Sequence, residues 1–297
     1  MILPPRIFEE VPSFKKTKLK NDLFEIRFKS PVNTFNEIND NVYLLLKDSP
    51  QKRKVCILVH GLGMELGSKW DSYIKIVPPQ IGACYIDLPY QRHRRTGKDL
   101  LSSLWDGIFT LNFFKQGTLD IIKTVNILKK LGYKEISIIG ISLGSIFSIM
   151  AMALDKRINK GVFILGGGDY SIITWKSPLL FKLRTAYKKK GITYKNCIKA
   201  RTLLKPFLES VIKGEIPFNI KTNIICLYFD PLCFAPMIKP EKVLMINALF
   251  DLIIPRKSTI LLHKALGKPK IIWFPTGHLQ LHLFRNSIIS KIKSFLQ

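Results

Sequence analysis

The sequence predicts an α/β protein: a mostly parallel central sheet with helices on both faces and one helical insertion. Three observations carry this reading. From Val55 onward, short apolar runs rich in β-branched residues alternate with amphipathic segments of helical period. The apolar runs carry no polar alternation, as expected of strands buried on both faces. The amphipathic segments stop at glycines, Gly132 and Gly267, as helices closed by a left-handed residue do. With 297 residues, 47% of them hydrophobic, the chain can fill one large core.

In chain order, Leu23–Phe28 and Val42–Lys47 suit two antiparallel edge strands, separated by the polar segment PVNTFNEINDN. Val55–Val59 is a continuous apolar strand leading into His60-Gly61-Leu62-Gly63. A helix over Trp70–Val77 is expected to end at Pro78-Pro79, before a strand over Ala83–Leu88. Thr118–Leu131 has apolar residues at Leu119, Ile122, Val125, Ile127, Leu128 and Leu131, with Asp120, Lys123, Lys129 and Lys130 among the polar positions, which reads as an amphipathic helix. Strands follow at Ile136–Ile139, Gly161–Leu165, Val243–Ala248 and Lys270–Phe274, with a helix over Ser258–Leu266 between the last two. Residues 169–240 break the alternation. They carry helical patterns (Pro178–Lys190, Tyr194–Leu204) and several prolines, and read as a cap inserted above the carboxyl edge of the sheet. The chain is therefore taken as one domain, 1–297, with a cap at 169–240.

Ile136–Leu154 contains nineteen residues without a charge, long enough to raise the question of a membrane span. Its glycines, four serines and the switch from β-branched residues to Met, Ala and Leu favour a strand, a turn and a helix instead. The first thirty residues lack the apolar core and cleavage pattern of a signal peptide. Five scattered cysteines with no CxxC pair suit reduced thiols, so a cytoplasmic location is expected. Lys and Arg number 47 against 21 Asp and Glu, a formal charge of +26. The basic residues are spread along the chain without interleaved aromatics or a nucleic-acid motif, so no specific nucleic-acid partner is expected. A loose attraction to anionic surfaces, membranes included, is the expectation instead.

The chemistry centres on Gly140-Ile141-Ser142-Leu143-Gly144, a Gly-x-Ser-x-Gly turn between the strand and the apolar helix. Such a turn lifts a serine hydroxyl above the sheet edge, and the following helix brings its N-terminal dipole beneath it. A serine hydroxyl needs a base, and the base needs an orienting carboxylate. Asp251 stands just past the Val243–Ala248 strand, and His278 just past Lys270–Phe274. Asp169, past the Gly161–Leu165 strand, and Asp230 are the rival acids, with Asp251 preferred. Two N–H groups should face a developing oxyanion: that of Leu143, after the serine, and that of Leu62, in the first glycine turn. His60 is expected to shape that turn by hydrogen bonding, His93 to be exposed, and His282 to sit on a helix near the pocket. No phosphate loop, dinucleotide fingerprint or zinc-ligand set is present, so no cofactor is expected.

On these residues the chain resembles the α/β-hydrolase fold superfamily over roughly Val55 to His278. It is most similar to the esterase-like and dienelactone-hydrolase-like hydrolases, through the VHGLG segment, the LPYQRHRR run, the GISLG elbow, DPLCFAP, and FDLIIP followed by PTGH. Ser145 departs from the glycine or other small residue that many relatives carry there. The resemblance implies hydrolysis of a carboxylic ester, with Ser142 as nucleophile, His278 as base and Asp251 as orienter. Other outcomes on the same fold are a peptidase or thioesterase, or a binding protein without catalysis.

Overall fold

The computed structural model describes residues 5–49, 51, 53–63, 75–97 and 99–297. Nine strands form one sheet: β1 Phe14–Lys18, β2 Leu23–Lys29, β3 Asn41–Lys47, β4 Lys54–Val59, β5 Gly82–Ile86, β6 Glu135–Ile141, β7 Ile158–Ile164, β8 Val243–Ala248 and β9 Lys270–Phe274. Their order is β1-β2-β3-β5-β4-β6-β7-β8-β9. The β1-β2-β3-β5 flank is antiparallel, and every pairing from β5 to β9 is parallel. This is the mostly parallel α/β class that the apolar runs imply.

Alternation along β4 shows why that strand is apolar on both sides. Val55, Ile57 and Val59 join one core, whereas Cys56 and Leu58 join the other. The first core lies under α1 (Gly107–Lys130) and α2 (Leu143–Leu154), and the second under the C-terminal helix, whose Ile288, Ile292 and Leu296 face the sheet. Each such fully buried aliphatic side chain contributes roughly 1.5–3 kcal/mol. Residues 136–154 divide into β6, the elbow and α2, and among the described residues no helix is long and apolar enough to cross a membrane.

Two expectations need correction. β1 is an additional strand at the sheet edge, so neither of the two expected edge strands is the outermost, and β3 is interior because it pairs with both β2 and β5. The helix expected over Thr118–Leu131 starts eleven residues earlier, at Gly107, where the Asp106 side chain caps it by accepting from the Ile108 and Phe109 N–H groups. Gly117 does not break it. A Cβ there would stand 2.4 Å from the Phe147 ring, so the glycine permits close packing of α1 on α2. The helix expected over Trp70–Val77 lies largely outside the described residues.

The segment between β7 and β8 is helical throughout its regular structure: α3 Tyr170–Lys176, α4 Phe181–Lys189, α5 Tyr194–Ala200 and α6 Leu204–Ile212, with short 3₁₀ turns between and after them. Past β8 comes α7, Arg256–Ala265, and the chain ends in α8, Arg285–Leu296.

Candidate active site

Parallel strands place their carboxyl ends along one edge, and the candidate residues all lie there. Leu62 follows β4, Ser142 follows β6, Asp251 follows β8 and His278 follows β9. Because β4 and β6 are neighbours, the glycine turn stands beside the elbow, and because β8 and β9 are neighbours, Asp251 stands beside His278.

The elbow is sterically determined. Ser142 adopts φ 54° and ψ −116°, a conformation that an L-residue reaches only at a cost of about 1–3 kcal/mol. Two glycines make the turn possible. A Cβ on Gly140 would lie 2.4 Å from the Gly144 carbonyl oxygen, and one on Gly144 would lie 2.2 Å from the Val59 carbonyl oxygen. The Ser142 N–H donates to the Ile164 carbonyl at 2.8 Å, which ties the strained residue to β7. Ser145 is fully buried, and its hydroxyl donates to the Ser142 carbonyl at 2.7 Å. A serine in place of a smaller residue is therefore accommodated by closing the first turn of α2.

The three side chains form one hydrogen-bonded line. His278 Nε2 lies 3.0 Å from Ser142 Oγ, and His278 Nδ1 lies 2.7 Å from Asp251 Oδ2. The other carboxylate oxygen of Asp251 accepts from the N–H groups of Ile253 and Ile254, both at 2.8 Å. A carboxylate with those two donors on one oxygen requires a third donor on the other, so His278 carries its proton on Nδ1 and presents Nε2 as an acceptor to the serine. That is the state in which an imidazole can take a proton from a hydroxyl.

The rival acids are engaged elsewhere. Asp169 caps α3, accepting from the Ile172 N–H, and forms an ion pair with Arg201 at 2.6 Å. Asp230 accepts from the N–H groups of Asp169, Tyr170 and Leu232, so besides capping its own 3₁₀ turn it fastens the start of α3. Its burial raises its pKa to about 6, against the pull of those donors.

His60 is buried with both ring nitrogens in use. Nδ1 lies 2.7 Å from the Gly61 carbonyl, and Nε2 accepts from the Leu88 N–H at 3.1 Å. Burial pushes its pKa down, which suits a neutral ring that must accept at Nε2. It braces the turn carrying Leu62. Gln91 does the same, its side-chain oxygen accepting from the Gly63 N–H at 3.1 Å. His93 is half-exposed, yet it bonds Asp87 at 2.7 Å and stacks on Tyr43. His282 is exposed on the 3₁₀ turn after His278 and bonds the Leu279 carbonyl.

Sequence reasoning missed Gln91 and Arg94. Both lie in a run that reads as a solvated basic cluster. Arg94 is fully buried instead, donating to Asp120 at 2.8 Å and to the Asn39 and Asp87 carbonyls. It locks the loop after β5 against α1. Nothing in its sequence neighbourhood distinguishes it from Arg92 or Arg95.

Beside Ser142 opens a cavity of about 70 Å³. Leu62 and Leu143 border it next to the serine, and Leu100, Leu104, Phe114, Ile146, Ile173 and Leu180 form much of its wall. Among the described residues, none that lines it is charged. Ser177, at the end of α3, also lines it and is fully buried, with a hydroxyl that meets no partner among the described residues. Also among the described residues, no group of three His, Cys, Asp or Glu could hold a metal ion.

No family model and no curated protein matches the chain. Solved structures do. An acetyl xylan esterase from Paenibacillus sp. R4 superposes with a TM-score of 0.63 at 14% identity, covering 95% of this chain and 89% of that one. A cold-adapted esterase from an Arctic intertidal metagenomic library gives 0.56 at 14% identity, covering 95% and 98%. An alpha/beta hydrolase from a Medee basin deep-sea metagenome library gives 0.54 at 17% identity, covering 86% and 94%. Identities this low speak for architecture alone, and that architecture agrees with the strand order and the serine turn described above: the chain is an α/β-hydrolase fold protein.

Proposed function

We propose that the chain is a serine hydrolase acting on carboxylic esters whose acyl group is apolar and of short to medium length. The observation that carries this is the Ser142–His278–Asp251 hydrogen-bonded line opening onto an uncharged cavity. Ser142 Oγ attacks the ester carbonyl while His278 Nε2 takes its proton, and Asp251 holds the ring and stabilises the imidazolium. The N–H groups of Leu143 and Leu62 receive the oxyanion. His278 then passes the proton to the leaving alcohol, and water releases the acyl group by the same steps in reverse. Residues 169–240 act as the cap, supplying Tyr170, Ile173, Ser177, Leu179 and Leu180 to the cavity wall. A space of this modest size suits short to medium acyl chains. The described wall is uncharged, which disfavours ionic acyl groups, because a charge against it would be buried unpaired. No cofactor enters these steps. The five free thiols suit a reducing compartment, the cytoplasm.

The test is labelling with a fluorophosphonate, then a panel of p-nitrophenyl esters of graded acyl length. Wild-type protein should label at Ser142 and turn over short to medium esters, and Ser142→Ala should lose on the order of 10⁶ in kcat. Labelling at Ser145, or an active Ser142→Ala protein, refutes the assignment.

A further inference from the structure

Several large apolar side chains close in sequence to the triad and to the cavity wall are uncovered. Phe250 and Leu252 bracket Asp251, while Leu279 and Leu283 follow His278. With Phe181 at the start of α4, these residues keep 58–72% of their surface open to solvent. The two loops are adjacent, since the Phe250 N–H donates to the Thr276 carbonyl at 3.0 Å. Leu179 joins rim to interior, being itself exposed and lining the cavity. Trp105 is also exposed and directly follows Leu104 of the cavity wall. Isolated exposed apolar residues need no explanation, but a set of them around one opening does.

Charge identifies what would cover them. Residues 170–208 contain ten Lys and Arg and no Asp or Glu, and no acidic residue occurs after Asp251. Most of the ten are exposed, among them Lys182, Lys188, Lys189, Lys190, Lys195 and Lys199. Arg184 and Arg201 differ from these: Arg184 donates to the Thr174 and Ser177 carbonyls, and Arg201 pairs with Asp169. The cationic surface reaches the rim itself, because Lys190 Nζ stands 4.3 Å over the Trp105 ring and Lys182 pairs with Asp99 beside Leu100. Exposed apolar residues with cations beside them match the two layers of an anionic bilayer, hydrocarbon within and phosphate at the surface.

We infer that the face around the cavity mouth docks onto an anionic phospholipid bilayer, so that an acyl chain passes from the lipid phase into the cavity. The docking stands on the rim and the charge. The entry of a lipid ester rests on the hydrolase reading above.

The experiment is co-sedimentation of the full chain with vesicles of phosphatidylcholine, alone or mixed with phosphatidylglycerol, alongside turnover of a soluble p-nitrophenyl ester. Wild type should bind the mixed vesicles, bind phosphatidylcholine weakly, and release steeply as salt rises. Phe181→Ser with Leu283→Ser should weaken binding by about 10-fold or more, from lost apolar burial. Lys188→Gln, Lys189→Gln and Lys195→Gln together should weaken it by about 10- to 100-fold. All these positions lie outside the triad, so soluble-ester turnover should remain within a few-fold of wild type, and Ser142→Ala should bind as wild type does. Vesicle binding that ignores the two rim substitutions overturns the proposal, leaving charge alone. Tighter binding to soluble heparin than to the vesicles overturns it, as does a concentration-dependent dimer that the rim substitutions dissolve. Binding as described but with no turnover of any ester supports docking and removes the hydrolase reading.

Discussion

Asp251→Asn tests the site at the point where its geometry is most restrictive. One oxygen of Asp251 accepts two N–H groups at 2.8 Å, and the other accepts the His278 ring N–H at 2.7 Å. An asparagine there has one acceptor oxygen. Turning its NH₂ toward Ile253 and Ile254 would set donors against donors and lose two hydrogen bonds of about 1 kcal/mol each. That difference of about 2 kcal/mol, roughly 30-fold, holds the amide with its NH₂ toward His278. The ring must then accept at Nδ1 and carry its proton on Nε2, facing Ser142 as a donor. It can no longer serve as base, and the carboxylate that would steady an imidazolium is gone. The expected loss is about 10⁴ in kcat, with KM little changed. Steady-state kinetics on a soluble ester at constant pH measures it, with a thermal melt to show that the fold persists. Asp169→Asn supplies the contrast: it weakens the α3 cap and the Arg201 pair, and so should lower stability while sparing kcat. A loss below 10-fold for Asp251→Asn, or a larger loss for Asp169→Asn, refutes the reasoning.

Gly144→Ala would place a Cβ 2.2 Å from the Val59 carbonyl oxygen and 2.5 Å from that of His60, forcing back the strand end that leads to Leu62. The expected outcome is about 1–3 kcal/mol lower stability, read by urea denaturation, and a fall of roughly 10²–10³ in kcat at similar KM; unchanged kcat would dissociate the elbow from the oxyanion turn. His60 has its pKa lowered by burial from the ordinary 6.5, so the unfolded chain takes up a proton that the folded one refuses. Its contribution is present above pH 6.5 and is lost as pH falls toward the folded value, at up to about 1.4 kcal/mol per pH unit. Wild type should therefore lose stability on acidification below pH 6.5 more steeply than His60→Gln, and parallel stability curves for the two proteins would contradict this.

The parallel strands and the three aligned side chains were legible in the sequence because each has a local signature. β4 and β8 are buried along nearly their whole length and read as continuous apolar runs, and β7 and β9 show themselves through the apolar part of each, so all four are legible to within a few residues. Ser142, Asp251 and His278 each follow such a strand closely, and a parallel sheet gathers those ends. β1 was not legible. It reads FKKTK, borders solvent, and acquires its conformation from pairing with β2 rather than from its own pattern. The first half of α1 was hidden by Gly117, whose role is contact with Phe147 and not termination. Arg94 looks like a surface charge because burial of an arginine depends on a distant carboxylate, Asp120, that no neighbouring residue reveals, and the pairing of the partly exposed Arg201 with Asp169 is hidden in the same way. The exposed rim was equally invisible, since a leucine carries no mark of whether something covers it.

The backbone of Ser142 sets two kinds of selection against each other. At φ 54° and ψ −116° a glycine would sit without the strain that a β-carbon brings. Ser142→Gly should therefore melt higher than wild type while being chemically inert, and calorimetry of the two proteins would measure the difference. A lineage released from the need for a nucleophile would gain stability by that single change, out of a total margin of roughly 5–15 kcal/mol. The strain is the cost of placing a hydroxyl at this point of the turn, and chemistry at Ser142 is what would repay it.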